Sequence, residues 1–153
     1  MAKKVRLRDV TADNWEEVVD LEVSDEQEDF VADNAYSLAE SKFDPYVKPR
    51  AIYAGKRVVG FLMYESLESD GRLHDYSIYR LMIDKRQQGK GYGREALELA
   101  IDEMRQDRHV NRITISYVPG NPVSKRFYGS LGFQEVGLDE DGEMIAELAM
   151  SKR

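Results

Sequence analysis

The chain of 153 residues is 42% hydrophobic and 33% charged, which is typical of a globular protein large enough to bury a core. It has no cysteine and only two histidines, so disulfides, thiolate metal sites and a cysteine nucleophile are excluded and no metal is expected. The net charge of −7 argues against nucleic-acid binding, which needs a cationic surface, and favours a cationic partner.

The sequence contains no candidate for a membrane or targeting segment. No apolar run approaches the roughly 18 residues of a membrane helix. The first residues, Met1-Ala2-Lys3-Lys4-Val5, lack the apolar stretch of a signal peptide. A soluble cytoplasmic protein without a membrane partner is therefore expected.

The first half of the chain predicts strands and helices in alternation. Val5–Asp9 alternates apolar and charged residues, as a strand with one buried face does. Thr11 and Asp13 are candidate N-caps of a first helix that reaches Leu21. A second short helix is predicted at Ala35–Ser41, and the prolines between Pro45 and Pro49 end it. A β-hairpin follows, with strands Arg50–Ala54 and Val58–Tyr64 on either side of Gly55-Lys56.

The second half predicts a sheet and two longer helices. One helix has its apolar residues on a single face, at Ala96, Leu97, Ala100, Ile101 and Met104. The other begins at Asn121-Pro122 and ends at Leu131-Gly132. The strands lie at Tyr76–Ile83, Arg112–Tyr117, Gln134–Leu138 and Met144–Met150. The predicted fold class is α/β (α+β): a single domain over residues 1–153 with a mixed, mostly antiparallel sheet of six to seven strands flanked by helices.

A glycine-rich loop joins the strand that ends at Ile83 to the following helix. Three glycines, at positions 89, 91 and 93, let the backbone approach a ligand closely. An anion is expected there, because the helix start offers N–H groups and the positive end of a dipole. Four cations add to this and locally outweigh the acidic balance of the chain: Lys85, Arg86, Lys90 and Arg94. A tight connection without a ligand is the alternative.

The loop fits neither of two common phosphate-binding patterns. A P-loop has Ser or Thr after Gly-Lys, whereas Gly91 follows Gly89-Lys90 here. The dinucleotide pattern needs a later glycine where Leu97 stands. The segment Gln88-Gly89-Lys90-Gly91-Tyr92-Gly93 instead resembles the coenzyme A pyrophosphate loop of the GNAT superfamily of N-acetyltransferases. A second segment, in which Asn121 is followed by Tyr128 and by Gly132-Phe133, resembles another motif of that superfamily.

This resemblance implies a fold whose strands splay apart to admit acetyl-CoA as cosubstrate, and a homodimer formed through the late strands. It implies that the backbone of Leu81, Met82 and Ile83 pairs with the pantetheine arm like an added strand. The pyrophosphate is then expected on the amides of Gln88, Gly89, Lys90, Gly91, Tyr92, Gly93 and Arg94, and the pantetheine side on Asn121, Ser124 and Lys125. For Asn121, helix capping alone is the alternative role.

Tyr128 matches the tyrosine that protonates the departing thiolate in the family. A nearby O–H makes the sulfur a better leaving group, and a strand N–H near Leu81 or Met82 can stabilise the carbonyl oxygen. The alternative for Tyr128 is a core aromatic packed with Phe127 and Leu131.

The attacking amine must lose a proton, which at neutral pH requires roughly 4 to 5 kcal/mol for an amine of ordinary pKa. A carboxylate is therefore expected near the acceptor. Glu22, Glu26 and Asp29 fall, with Asp33, on one stripe if their segment is helical, although a solvated acidic face is the alternative. Rival candidates are Glu65 and Asp75. Candidates for cation–π contact with the acceptor are Tyr36, Tyr46, Tyr64, Tyr76 and Tyr79, although half-buried strand positions are the alternative for such tyrosines.

The segment Leu21–Glu40 resembles bacterial spermine/spermidine acetyltransferases, through Gln27, Phe30-Val31, Asn34 and Ser37-Leu38. The resemblance implies transfer of an acetyl group from acetyl-CoA to a primary amine of a polyamine, by direct attack in a ternary complex. The alternatives are another amine acceptor (an aminoglycoside, an amino acid or a protein N-terminus) or a non-catalytic regulator that binds acyl-CoA.

Overall fold

The computed structural model describes residues 5–23 and 33–150, and its seven strands form one sheet in the order β1-β2-β3-β4-β5-β7-β6. The strands are β1 Val5–Asp9, β2 Val47–Ala54, β3 Arg57–Ser66, β4 Asp75–Ile83, β5 Arg112–Tyr117, β6 Gln134–Leu138 and β7 Met144–Ala149. The helices are α1 Trp15–Val19, α2 Asn34–Ser41, α3 Tyr92–Met104 and α4 Pro122–Ser130. Neighbouring strands are antiparallel except β4 and β5, which are parallel. The predicted mixed, mostly antiparallel sheet is confirmed.

The helices cover the two faces of the sheet and bury a separate apolar cluster on each. On one face α3 packs through the five apolar positions that its spacing predicts, all of them buried. Phe127 and Tyr128 of α4 join this cluster. On the other face Val18 of α1 and Leu38 of α2 pack around Phe61 and Met82. Because apolar burial is the main favourable contribution to folding, these two clusters fix the sheet between its helical layers.

The parallel strands β4 and β5 stay paired over only four residues, from Asp75 opposite Arg112 to Ile78 opposite Ile115. β4 then continues to Ile83 without a partner strand on that side. A bulge lies where the strands part, since Tyr79 is the extra residue in the register between β3 and β4. Bulges bend a strand and end its pairing, so the bulge at Tyr79 accounts for the opening between β4 and β5.

Two local predictions differ from the structure. β2 begins at Val47 and includes Pro49, where the sequence predicts a break. Proline is tolerated there because β1 ends opposite Arg50, which leaves this part of β2 at an edge of the sheet. The N-cap of α1 is Asn14. Its side chain is used for tertiary contacts instead of capping, since it donates to the Asp9 carbonyl and to the Tyr53 hydroxyl, both at 3.0 Å.

Within residues 5–23 and 33–150, no helix is long and apolar enough to cross a membrane. The outer strand β6 exposes two apolar side chains, Val136 and Leu138. The homodimer expected through the late strands stays a prediction.

Candidate active site

A cavity of about 910 Å³ occupies the opening between β4 and β5. From the α3/α4 face its walls are the glycine-rich loop and the aromatic side chains Phe127 and Tyr128. From the α1/α2 face Val23 and Tyr79 reach it. The cavity therefore passes through the sheet, so that two reactants can approach one point from opposite faces.

The glycine-rich loop adopts a backbone that side chains would disfavour. Gly89 has φ +78° and Gly91 has φ +83°, in the left-handed region that glycine occupies without strain. A Cβ at either position would meet nothing within 4 Å, so the requirement for glycine there comes from the backbone angle. Gly91 is also the N-cap of α3, and no side chain caps this helix end. The start of α3 is therefore suited to receive an anion.

The four cations near the loop differ in whether they form ion pairs. The Lys85 ammonium lies 3.0 Å from the Glu22 carboxylate, and the Arg86 guanidinium lies 3.1 Å from that of Asp84. Lys90 donates to the Gln87 side chain, and Arg94 donates to the Ser130 hydroxyl. Neither of these last two cations forms an ion pair with a described residue. The positive potential at the loop is thus carried mainly by Lys90 and Arg94.

Asp84 connects the loop to the segment after α1. Its carboxylate is buried and accepts the backbone N–H of Glu22 at 3.0 Å and that of Arg86 at 3.2 Å. Burial disfavours the charged form, but hydrogen bonds from the Arg86 side chain and from both N–H groups outweigh it and lower the pKa of this carboxyl. The backbone N–H of Lys85 donates to the Glu22 carbonyl as well. These contacts hold Val23 against the cavity.

The pKa of Asp84 implies a loss of stability in acid. A carboxyl whose pKa is lowered by folding stabilises the protein fully above the unfolded value, about 3.9, and loses this contribution as pH falls through the lower folded value. We expect Asp84→Asn to lower the free energy of unfolding near neutral pH by about 1–3 kcal/mol, since it removes a charged acceptor of buried hydrogen bonds. The difference from the wild type is expected to shrink below pH about 4. Thermal denaturation across this pH range measures both effects.

Asp107→Asn is the matched control for this prediction. Burial opposes ionisation of Asp107, but hydrogen bonds from His74, from the His109 backbone and from Tyr76 lower the pKa of this carboxyl. Asp107 lies at the opposite end of β4 from the loop, whereas Asp84 lies beside the loop. Only Asp84→Asn should therefore also weaken coenzyme binding. If the difference in free energy of unfolding between Asp84→Asn and the wild type stays constant into acid, the lowered pKa of Asp84 is contradicted.

Tyr128 lies in an aromatic cluster at the cavity. Its ring stacks on that of Tyr117 at a centroid distance of 5.3 Å and meets Phe127 and Phe133 edge-on. Burial raises the pKa of Tyr128 to about 12, so the hydroxyl stays protonated at neutral pH. In the described part of the chain the Tyr117 hydroxyl donates to Glu135 at 2.6 Å, whereas nothing hydrogen-bonds that of Tyr128. Tyr128 is both a packed aromatic and an available proton donor.

The structure brings together most of the predicted coenzyme residues. The cavity is lined by Leu81, Met82, Ile83, Gln88, Gly89, Gly91, Tyr92, Gly93, Arg94, Asn121 and Ser124. Lys90 and Lys125 are not among the lining residues, and the Lys125 ammonium lies 3.6 Å from the Glu135 carboxylate. Asn121 accepts the backbone N–H groups of Val123 and Ser124, so it caps α4 while also lining the cavity. The coenzyme contacts themselves stay predictions.

The residues predicted for the acceptor are not brought together. Glu22 adjoins the cavity-lining Val23 but pairs with Lys85. Tyr36 is exposed on α2. Glu65 does not line the cavity, but its carboxylate acts electrostatically on the cavity-lining Tyr79 and Arg80. Burial and nearby acidic groups raise the pKa of Glu65. Glu26 and Asp29 lie outside the described residues.

Asp75 has a structural role instead of the predicted one at the acceptor site. It begins β4, at the end of the strand remote from the loop, and it does not line the cavity. Its buried carboxylate lies 3.1 Å from the Arg72 guanidinium and 3.6 Å from that of Arg112. A carboxylate paired in this way ties β4 to β5 and is not available to an acceptor.

Among the side chains that line the cavity, sequence reasoning did not single out Arg80 and Glu143. Tyr79, a predicted candidate for the acceptor groove, does line the cavity, where the bulge places it, and Arg80 donates to the Ser37 hydroxyl at 3.1 Å. Glu143 reaches the cavity from the end of the turn between β6 and β7. Its sequence context, an acidic turn, gives no signal for this role. In the described residues, no group of three or more His, Asp or Glu side chains is arranged to hold a metal ion.

Comparisons with known proteins agree with this geometry. Residues 7–133 match the model of the acetyltransferase (GNAT) family. The chain is 33% identical over 150 residues to a spermine/spermidine N(1)-acetyltransferase of Bacillus subtilis, covering 94% of this chain and 99% of the relative. Among solved structures, it resembles a PaiA N-acetyltransferase from Thermoplasma acidophilum in complex with coenzyme A (TM-score 0.72, 16% identity, 96% and 99% of the two chains). It also resembles the aminoglycoside acetyltransferase AAC(6')-Ib in complex with coenzyme A (TM-score 0.75, 16% identity, 95% of each chain). The chain therefore belongs to the acetyltransferase (GNAT) family.

Proposed function

We propose that the protein transfers the acetyl group of acetyl-CoA to a primary amine of a polyamine, spermidine or spermine, by direct attack in a ternary complex. The observation that carries this proposal is the cavity through the sheet, with an anion-binding loop on one side and an opening toward the other face. The polyamine acceptor is supported by the full-length similarity to the Bacillus subtilis spermine/spermidine enzyme. It agrees with the net charge of −7, which attracts a polycation.

The cavity has the features that a coenzyme A thioester requires. The backbone of β4 beyond Ile78 has no partner strand on the side of β5, so it can pair with an extended pantetheine arm. Gly89, Gly91 and the cation Arg94 line the cavity at the start of α3, which supports their role as donors to a pyrophosphate. Acetyl-CoA, when bound, supplies an acetyl group already activated as a thioester.

The chain's own groups then serve the transfer. Because β4 has no partner strand beyond Ile78 on the side of β5, a backbone N–H near Leu81 or Met82 is the expected donor for the carbonyl oxygen. The Tyr128 hydroxyl holds a proton for the sulfur that leaves, and its raised pKa keeps that proton in place until it is needed. The reacting amine has to arrive neutral or lose its proton in the cavity.

An acceptor screen tests this function. Purified protein is incubated with acetyl-CoA and, separately, spermidine, spermine, an aminoglycoside or a peptide with a free N-terminus, and thiol release is followed. We expect turnover on the polyamines at the highest kcat/KM. Turnover confined to the aminoglycoside or the peptide would replace the acceptor but keep the chemistry. Tight binding of acetyl-CoA without turnover on any amine would favour the non-catalytic regulator.

A further inference from the structure

Glu143 is the one acidic residue lining the cavity in the part of the chain that the structure describes. Its side chain is half-buried, and its carboxylate forms no hydrogen bond or ion pair with the residues described. A carboxylate that is partly removed from water favours a positively charged partner, because such a partner compensates the lost hydration. Among the lining residues that are described, Glu143 thus presents an uncompensated negative charge to the cavity.

The backbone around Glu143 is fixed. Its N–H donates to the Asp139 carboxylate at 2.9 Å, and its carbonyl accepts the Asp139 N–H at 2.8 Å. These two bonds join the ends of the turn between β6 and β7. Glu143 therefore extends from a rigid position, which favours recognition because little freedom is lost on binding.

The position of Glu143 on the sheet indicates which reactant it meets. The next residue, Met144, pairs with Tyr117, whose ring stacks on Tyr128. Met144 packs in the cluster on the α3/α4 face. Because successive side chains of an extended chain point to opposite faces, Glu143 is expected on the α1/α2 face. The glycine-rich loop and Tyr128 lie on the other face, so Glu143 meets the acceptor and not the coenzyme.

The cations that line the cavity leave Glu143 unneutralised. Arg80 donates to the Ser37 hydroxyl at 3.1 Å and lies 3.7 Å from the Glu40 carboxylate. Arg94 belongs to α3 and is bonded to Ser130. Among the described residues, both lining cations are therefore engaged with other groups, and neither pairs with Glu143.

We propose that Glu143 binds a charged ammonium group of the acceptor and thereby selects amines that carry a second positive charge. The reacting amine has to become neutral, whereas the remaining amines of a polyamine stay charged and can pair with this carboxylate. The inference rests on the proposed function for the identity of the cation, and it adds the residue that distinguishes a polyamine from a simple monoamine.

Binding measurements test this role without depending on turnover. The protein is saturated with coenzyme A, and spermidine and n-butylamine are titrated by NMR into the wild type, Glu143→Gln and Glu140→Gln. Glutamine keeps the shape of the side chain and removes the charge. Glu140 is an exposed acidic residue of the same turn, so its variant controls for net charge.

We expect Glu143→Gln to weaken spermidine binding by about tenfold, the loss of one charge-assisted contact, with little change for n-butylamine. Glu140→Gln should bind both amines as the wild type does. The inference is overturned if Glu143→Gln binds spermidine like the wild type, if both amines weaken equally, or if the wild type does not bind spermidine. A wild type that binds spermidine through Glu143 but never acetylates an amine would overturn the proposed function alone.

Discussion

Replacing Tyr128 by phenylalanine is expected to lower kcat by about a hundredfold or more, the usual range for loss of a general acid. The substitution removes only the hydroxyl, so the ring keeps its stack on Tyr117 and its edge contacts with Phe127 and Phe133. Because the hydroxyl has no hydrogen-bond partner among the described residues, its removal leaves no donor or acceptor of theirs unsatisfied. Steady-state kinetics with spermidine, together with calorimetry of acetyl-CoA binding, measures the effect.

Tyr117→Phe provides the matched comparison. Tyr117 stacks on the same ring, but its hydroxyl already donates to Glu135. Its loss should therefore lower kcat much less than the loss of the Tyr128 hydroxyl. Affinity for acetyl-CoA should stay within about twofold in Tyr128→Phe, since a proton donor used only as the sulfur leaves adds little to ground-state binding. An unchanged kcat in Tyr128→Phe would assign this residue to packing alone.

Substituting Gly91 is expected to give the second large effect, on coenzyme affinity. At φ +83° a β-branched side chain is strongly disfavoured, whereas asparagine tolerates this region better. In Gly91→Val, returning the loop to the wild-type backbone conformation is expected to cost about 1–3 kcal/mol. The variant should therefore bind acetyl-CoA up to about a hundredfold more weakly. Gly91→Asn should fall between Gly91→Val and the wild type.

Gly71→Val separates backbone strain from coenzyme binding. Gly71 has φ +76° and, like Gly91, nothing within 4 Å of an added Cβ, but it lies in the connection between β3 and β4, away from the loop. Its variant should lose thermal stability to a similar degree and keep the dissociation constant for acetyl-CoA. If calorimetry shows that Gly91→Val binds acetyl-CoA with the affinity of the wild type, the loop conformation does not determine coenzyme binding.

Short-range patterns predicted most of the elements and the centre of the site. The apolar stripe of α3, the Asn121-Pro122 start of α4 and the β2–β3 hairpin are set by residues within a few positions of one another. The loop and Tyr128 were found for the same reason, because each lies in a contiguous motif. Most of the residues predicted for the coenzyme, though not Lys90 and Lys125, line the cavity together with Tyr128.

The acceptor side could not be predicted in this way. Asp75 looks like a free acidic residue until Arg112, 37 positions later, is seen beside it. Glu143 looks like part of a solvated turn until β7 pairs with β5 and brings it to the cavity. Contacts of this kind depend on strand order, which local propensity does not encode.

By itself, then, the sequence determined the glycine-rich loop, its helix and the family to which the chain belongs, since those depend on local backbone angles and on neighbouring residue types. The tertiary structure decided where the sheet opens, through the bulge at Tyr79 and the short pairing of β4 with β5. It also decided which charges remain uncompensated, because Lys85, Arg86 and Asp75 are paired while Glu143 has no partner in the described part of the chain. Pairing depends on distances between residues far apart in the chain, and only the folded arrangement fixes those distances.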